Sequence, residues 1–267
     1  MTKAEDWTGV SEDAQLYEQK FVPNLFGPWA PVVATAAEIH AGDRVLDIGC
    51  GTGVLAREAA RRAGSTGQVT GLDLDDGMLS MARLSVPAID WRQGDACDLP
   101  FDDESFDVVV SQFALMYFPD QRVALREMAR VLTKSGRLAL AVWAPFEFAR
   151  GYVRLAEVAE RHASKEAEQI LRRPHRLGDP DMLRPLFEQT DFENLALEIT
   201  KGFYSQPSID AFLEAEVQGS PLHKLFDDDS YAAFLEEARE ALQPFCNQKG
   251  ELVIPMDATI VTARKRG

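Results

Sequence analysis

The chain lacks any run of about 18 apolar residues, the length a helix needs to cross a hydrocarbon core, so a soluble protein with no membrane partner is expected. Its first residues, Met1-Thr2-Lys3-Ala4-Glu5-Asp6, carry acids and no apolar signal core, which argues against export. Cysteine is scarce. Cys50, Cys97 and Cys246 form neither a disulfide framework nor a C-x-x-C metal motif, and a reducing cytoplasm suits them. Positive charge is also short: 28 bases face 43 acids, and a net charge of −15 opposes approach to nucleic acid and to acidic lipid. The local exception is Arg172-Arg173-Pro174-His175-Arg176, whose plainest reading is a solvated helix end. No metal-ligand spacing is present. Asp227-Asp228-Asp229 reads as the cap of a helix N-terminus instead.

What is present is a nine-residue stretch, Val45-Leu46-Asp47-Ile48-Gly49-Cys50-Gly51-Thr52-Gly53, followed by a run of small residues, Ala56, Ala59, Ala60 and Ala63, at helical spacing. Val45, Leu46 and Ile48 suit a buried parallel strand, and the alanines let a helix pack closely on it. Glycines between strand and helix let backbone amides approach a ligand. Gly51-Thr52-Gly53-Val54-Leu55-Ala56 satisfies G-x-G-x-x-A, the dinucleotide fingerprint, so NAD is one reading. Asp47 favours another: a carboxylate at the strand tip repels a pyrophosphate and attracts a cationic ligand. Asp73, ending a second strand about 20 residues after Gly53, suits the two hydroxyls of a ribose, which NAD and adenosyl ligands share.

Strands are predicted at 44–48, 68–73, 89–92, 106–111 and 136–143, alternating with helices that include one at 121–133, after an N-terminal helical segment reaching residue 41. Ser135-Gly136 reads as the turn into the fifth strand. A core of 42–145 is followed by a helical insertion over 146–178, with 147–173 as one long helix or two short ones. C-terminal strand regions at 192–206 and 250–265, with strands placed at 195–203 and 251–263, then enclose a helical segment at 207–249. That segment is too long for a hairpin turn and reads as a cap, with Phe203, Tyr204, Phe212, Leu222, Phe226 and Phe245 lining an apolar chamber or simply fastening the cap.

Five ordered motifs, D-I-G-C-G-T-G, G-L-D-L, G-D-A-x-x-L-P-F, F-D-V-V-V-S and R-V-L-x-x-S-G-R-L-A-L, occupy residues 45 to 142. Through them the chain resembles the class I S-adenosylmethionine-dependent methyltransferases, most of all the small-molecule branch that includes the ubiquinone and menaquinone biosynthesis enzymes. The resemblance implies a Rossmann-like α/β fold: a seven-stranded, mostly parallel sheet with an antiparallel C-terminal strand and helical cap insertions. It implies S-adenosylmethionine as cofactor, S-adenosylhomocysteine as its product and a small molecule as partner. By motif position, Asp47, Gly49, Cys50 and Gly51 would lie against the methionine part, Asp73 would hold the ribose, and Leu74 and Met78 would flank the adenine. Asp95 and the Ala96 amide would read the adenine edge, and Ser111 with Gln112 would lie beside the sulfonium. Tyr17, Phe21 and Trp29 fall where related proteins place aromatics over the cofactor.

Strand four runs into Ser111-Gln112-Phe113-Ala114, without the N-P-P-Y signature of amino-methylating DNA and protein enzymes, and no Pro-Cys nucleophile of cytosine-carbon methyltransferases is present. A catalytic group is not fixed by the pattern. Tyr117, just past strand four, could orient an acceptor; His175 and His223, like His162, are base candidates that also read as surface or helix-end residues, and His40 precedes the first strand. Three functions follow: methyl transfer to an O, N or C atom of a small, partly apolar metabolite; NAD-dependent oxidoreduction; or cofactor binding without chemistry. Oligomeric state leaves no mark in the sequence.

Overall fold

The computed structural model describes residues 10–267; the acidic segment 1–6 and the start of the expected N-terminal helices lie outside them. Two compact units form, one of residues 10–142, 180–198 and 259–267, the other of 143–179 and 199–258. The first is built on a seven-stranded, mostly parallel sheet with one antiparallel strand. Its strands are β1 (Arg44–Ile48), β2 (Gln68–Asp73), β3 (Asp90–Gln93), β4 (Phe106–Gln112), β5 (Leu132–Trp143), β6 (Phe192–Thr200) and β9 (Ala258–Lys265), in the order β3-β2-β1-β4-β5-β9-β6. β1 pairs in parallel with β2 and β4, so Asp47 stands between Gly71 and Val110 at the centre of the sheet. Val45, Leu46 and Ile48 are fully buried, as an apolar central strand requires.

The crossovers are helical: α3 (Val54–Ala63), α4 (Asp76–Ser85) and α5 (Gln121–Val131). Asp75 caps α4 and Asp120 caps α5, each accepting two amides of the first turn. The predicted Ser135-Gly136 turn takes another form. β5 starts directly at Leu132, and the extra residues bulge between the pairs Phe106–Leu132 and Val108–Arg137, with Ser135 at φ +61°.

Ahead of β1, α1 (Glu12–Leu16) runs into a wide π-helical stretch at Tyr17–Phe26, then a 3₁₀ turn at Gly27–Trp29 and α2 (Ala30–Ala36). Pro23 accounts for the wide turn. It has no amide to give and its ring would crowd an α-helical carbonyl, and the i→i+5 pattern closes instead through Gly27 N–H to the Val22 carbonyl.

The second unit holds α6 (Arg150–His162), α7 (Lys165–Arg172), α9 (Ile209–Gln218) and α10 (Asp228–Leu242); the short α8 (Pro180–Leu183) belongs to the first. The predicted helix at 147–173 is thus two helices, broken where Ser164 caps α7 by accepting the Ala167 amide. Asp227 caps α10 in a reciprocal box with Ser230, as its sequence suggested, and no metal-binding cluster occurs among the described residues. The C-terminal strands differ from expectation. The segment 195–203 ends its strand at Thr200, and 251–263 divides in two, because a small antiparallel pair, β7 (Phe203–Gln206) and β8 (Leu252–Pro255), separates from the main sheet. Asp257 fixes that break by accepting the Gly202 amide, while the Met256 amide donates to the Gly202 carbonyl.

Most of the apolar side chains singled out in this segment pack within their own unit. Tyr204, Phe212 and Leu222 are buried in the core of their own unit, where Phe212 meets Tyr152 and Tyr204 edge-on at 5.5 and 5.6 Å. Phe226 packs on Phe234 at 4.7 Å, Phe245 is half-buried and Phe203 is exposed. Fastening the unit together is what most of these rings do.

Candidate functional site

At the tip of β1 the chain turns over β2: the Gly49 and Cys50 amides both donate to the Leu72 carbonyl, at 2.8 and 3.0 Å. Gly53 then starts α3 at φ +88°, with the Trp91 ring so close that a Cβ there would lie 2.4 Å from it. No other residue fits. Gly51, at φ +55°, faces Tyr17, whose ring edge and hydroxyl would lie 3.9 Å from an added Cβ. The glycine loop is therefore pinned below by an indole and covered by a phenol.

Two carboxylates meet beneath that phenol. Asp73 accepts the Gly51 amide at 2.7 Å on one oxygen and the Asp75 amide at 3.0 Å on the other, which leaves each oxygen a further lone pair for a hydroxyl. Asp47 is 1% exposed and neither of its oxygens has a hydrogen-bond partner among the described residues. Burial pushes its carboxyl up to about 8; the nearby Ala56 amide opposes this without satisfying either oxygen, and the charge of Asp73 adds to it. Asp73 is raised as well, first by burial. The Tyr17 phenol moves up by burial and then by Asp73, Tyr117, Glu18 and Asp47. The cluster is short of positive charge, and a cation would relieve it.

The N-terminal segment is bonded to this site. Glu18 pairs with Arg57 at 3.1 Å, Arg57 also donates to the Thr52 carbonyl at 2.9 Å, and Gln112 Nε2 donates to the Phe26 carbonyl at 3.0 Å. Tyr17 stacks on Phe26 at 4.9 Å, with Phe21 at 6.3 Å from Tyr17, and Phe113 lies 5.9 Å from both Phe26 and Trp29. Phe113 holds φ +56°, a strained conformation for a bulky residue that costs about 1–3 kcal/mol and is kept by this packing.

The structure brings Tyr17, Phe21, Asp47, Gly49, Gly51, Asp73 and Gln112 together, with the Gln112 Oε1 buried and without a partner among the described residues. Leu74, at 68% exposed, leaves an apolar face open past β2, and Met78 packs with Val10, Ala14 and Met81. Asp95 closes a local turn through the Cys97 amide at 2.8 Å beside buried Ala96. Cys50 turns its thiol into the core with Ala56, Leu79 and Trp91 and gives its amide to the Leu72 carbonyl, which holds the loop. Ser111 donates its hydroxyl to the Ile48 carbonyl at 2.6 Å, tying β4 to β1.

Of the catalytic candidates, Tyr117 is 57% exposed and close enough to Tyr17 to raise its phenol. His175 and His223 belong to the other unit, each with Nδ1 on a backbone carbonyl at 2.8 Å, of Ala144 and Ser220 respectively. His162 is engaged by Glu237 at 2.6 Å and His40 by Arg137 at 2.7 Å. Sequence reasoning missed Glu18, Phe26, Arg57 and Trp91. The signal for Trp91 was available: Gly53 and Gly71 both lack a side chain where one indole needs room.

Residues 46–140 match the family described as Methyltransferase domain. The chain is 30% identical over 188 residues to a demethylmenaquinone methyltransferase of Staphylococcus carnosus, covering 65% of this chain and 78% of that one. It is 40% identical over 118 residues to a 2-phytyl-1,4-naphtoquinone methyltransferase of Synechococcus elongatus, with 42% and 51% covered. It spans about half the length of several such curated relatives. In fold it is similar to YcgJ of Bacillus subtilis, at a TM-score of 0.58 and 23% identity over 89% of this chain and 98% of that one. The chain belongs to the class I S-adenosylmethionine-dependent methyltransferases. The oxidoreductase reading falls with that membership, and the Asp47 carboxylate at the glycine loop agrees: it would repel the pyrophosphate of a dinucleotide.

Proposed function

We propose that this protein transfers a methyl group from S-adenosylmethionine to an O, N or C atom of a small, partly apolar metabolite, in the cytoplasm. The observation that carries the reading is Asp47, a buried carboxylate with two unpartnered oxygens at the glycine loop. The cofactor supplies an activated methyl on a cationic sulfur and an ammonium group. Asp47 and Asp73 would neutralise and hold it, Asp73 through ribose hydroxyls, and Gln112 Oε1 would accept a further hydrogen bond. Tyr17, Phe26 and Phe113 exclude water, so that alignment of acceptor and donor does most of the catalytic work, up to roughly 7–11 kcal/mol in general. Tyr117 is the group we assign to orient an acceptor hydroxyl or amine. Names of the relatives favour a quinone-like acceptor.

The test is incubation with S-adenosylmethionine and a panel of hydroquinones, phenols and amines, following S-adenosylhomocysteine release. Turnover on a panel member supports the reading. Tight S-adenosylhomocysteine binding with no turnover on any member would instead favour a binding module.

A further inference from the structure

The arginine-rich segment 172–176, which methyl transfer does not use, lines a cleft of about 510 Å³ together with Pro145, Phe146, Glu147, Gln169 and Asp179, all within the second unit. That volume falls in the range of small-molecule sites. Its wall is fixed by buried contacts. His175 is 7% exposed, donates Nδ1–H to the Ala144 carbonyl at 2.8 Å and meets the Phe146 ring edge-on at 5.2 Å. Gly178 presses so closely on the Ala144–Pro145 backbone that an added Cβ would lie 2.4 Å from it.

On that wall stand three guanidinium groups. Arg172 stacks over the Phe146 ring at 4.5 Å and gives Nε to Glu168 at 2.5 Å, which leaves the outer edge of its fork unspent. Arg173 and Arg176 make no ion pair among the described residues, in a chain where 43 acids outnumber 28 bases and arginines such as Arg44, Arg57 and Arg130 are bonded to carboxylates. The buried histidine adds selectivity. With Nδ1–H committed, its neutral ring keeps a bare Nε2, an acceptor suited to a hydroxyl.

We propose that this cleft binds a small oxyanion, a phosphate or carboxylate group gripped by Arg173, Arg176 and the outer edge of Arg172, with a neighbouring hydroxyl donated to His175. Planar guanidinium forks match such groups bidentately. Glu147 and Asp179, which also line the cleft, limit the excess of positive charge. Pro145 and Phe146 offer apolar surface to the rest of the ligand.

The experiment titrates the full chain with inorganic phosphate and with salicylate, at constant ionic strength, by calorimetry. Saturable one-to-one binding of either is expected: phosphate alone points to a phosphoryl ligand, salicylate alone to an aromatic hydroxy acid, both to the shared oxyanion. The double variant Arg173→Gln/Arg176→Gln should weaken that binding about tenfold or more while its affinity for S-adenosylhomocysteine stays the same. Absence of saturation by both probes, or equal binding by the double variant, overturns the proposal. Should the double variant fail to fold, Arg176→Lys, which keeps charge and loses the fork, replaces it: weaker binding supports the site and unchanged binding rejects it.

Discussion

Asp47 sets the chemistry at the scale of single residues. Its raised pKa means that the ligand-free protein holds a neutral carboxyl there at pH 7, and a cationic ligand draws the proton off. Binding of S-adenosylhomocysteine should therefore release a proton near pH 7, and affinity should rise toward pH 8; calorimetry in buffers of different ionisation enthalpy reads both. Asp47→Asn should weaken that binding about tenfold or more, yet raise the melting temperature of the free protein at pH 8, where the wild type must bury an unpaired charge. Asp73→Ala removes charge-assisted hydrogen bonds worth about 1.5–3 kcal/mol each, so a loss of affinity of at least roughly ten- to hundredfold, the worth of one such bond, is expected by the same measurement. Equal affinity would show that the ribose lies elsewhere.

Elements decide how these residues meet. The glycine loop has two faces, and substitution should separate them. Gly53→Ala drives a Cβ into Trp91 and should lower the urea midpoint of unfolding by far more than Gly51→Ala, whose Cβ meets only ordinary contact and whose main effects are strained φ and weaker cofactor binding. Equal midpoints would show that the indole yields. The sequence made the loop, its strand and its helix legible because apolar periodicity and glycine spacing are local properties. It did not reveal that Cys50 faces the core or that the Ser111 hydroxyl is spent on Ile48, since each depends on what a neighbouring strand presents. The Glu18–Arg57 pair was hidden for the same reason: the partners are 39 residues apart.

For the whole molecule, buried ionisable groups shape stability. Glu216 is buried, accepts the Tyr152 hydroxyl at 2.7 Å and has a carboxyl raised by burial to about 7; with Asp47, it binds protons more tightly folded than unfolded. Stability is therefore lost as pH rises from the ordinary carboxylate range through 7 to 8. His175, lowered by burial to about 4, acts oppositely and costs stability only as pH falls from about 6.5 toward 4. Between pH 7 and 8 the raised acids outweigh the opposite effect of His175, so the melting temperature of the free protein should fall over that interval, and Glu216→Gln should flatten the fall. S-adenosylhomocysteine should raise the melting temperature by linkage while NAD leaves it unchanged. Stabilisation by NAD alone would remove the cofactor assignment.

The sequence by itself determined the alternation of strands and helices, the acids at the first three strand tips and the family, because those are written in short-range periodicity and ordered motifs. Only the tertiary structure decided which acid is left unpartnered, which rings are core and that the clustered arginines line a cleft. Burial and pairing arise between residues far apart in the chain, and desolvation, which sets the charge state of Asp47, exists only once they are brought together.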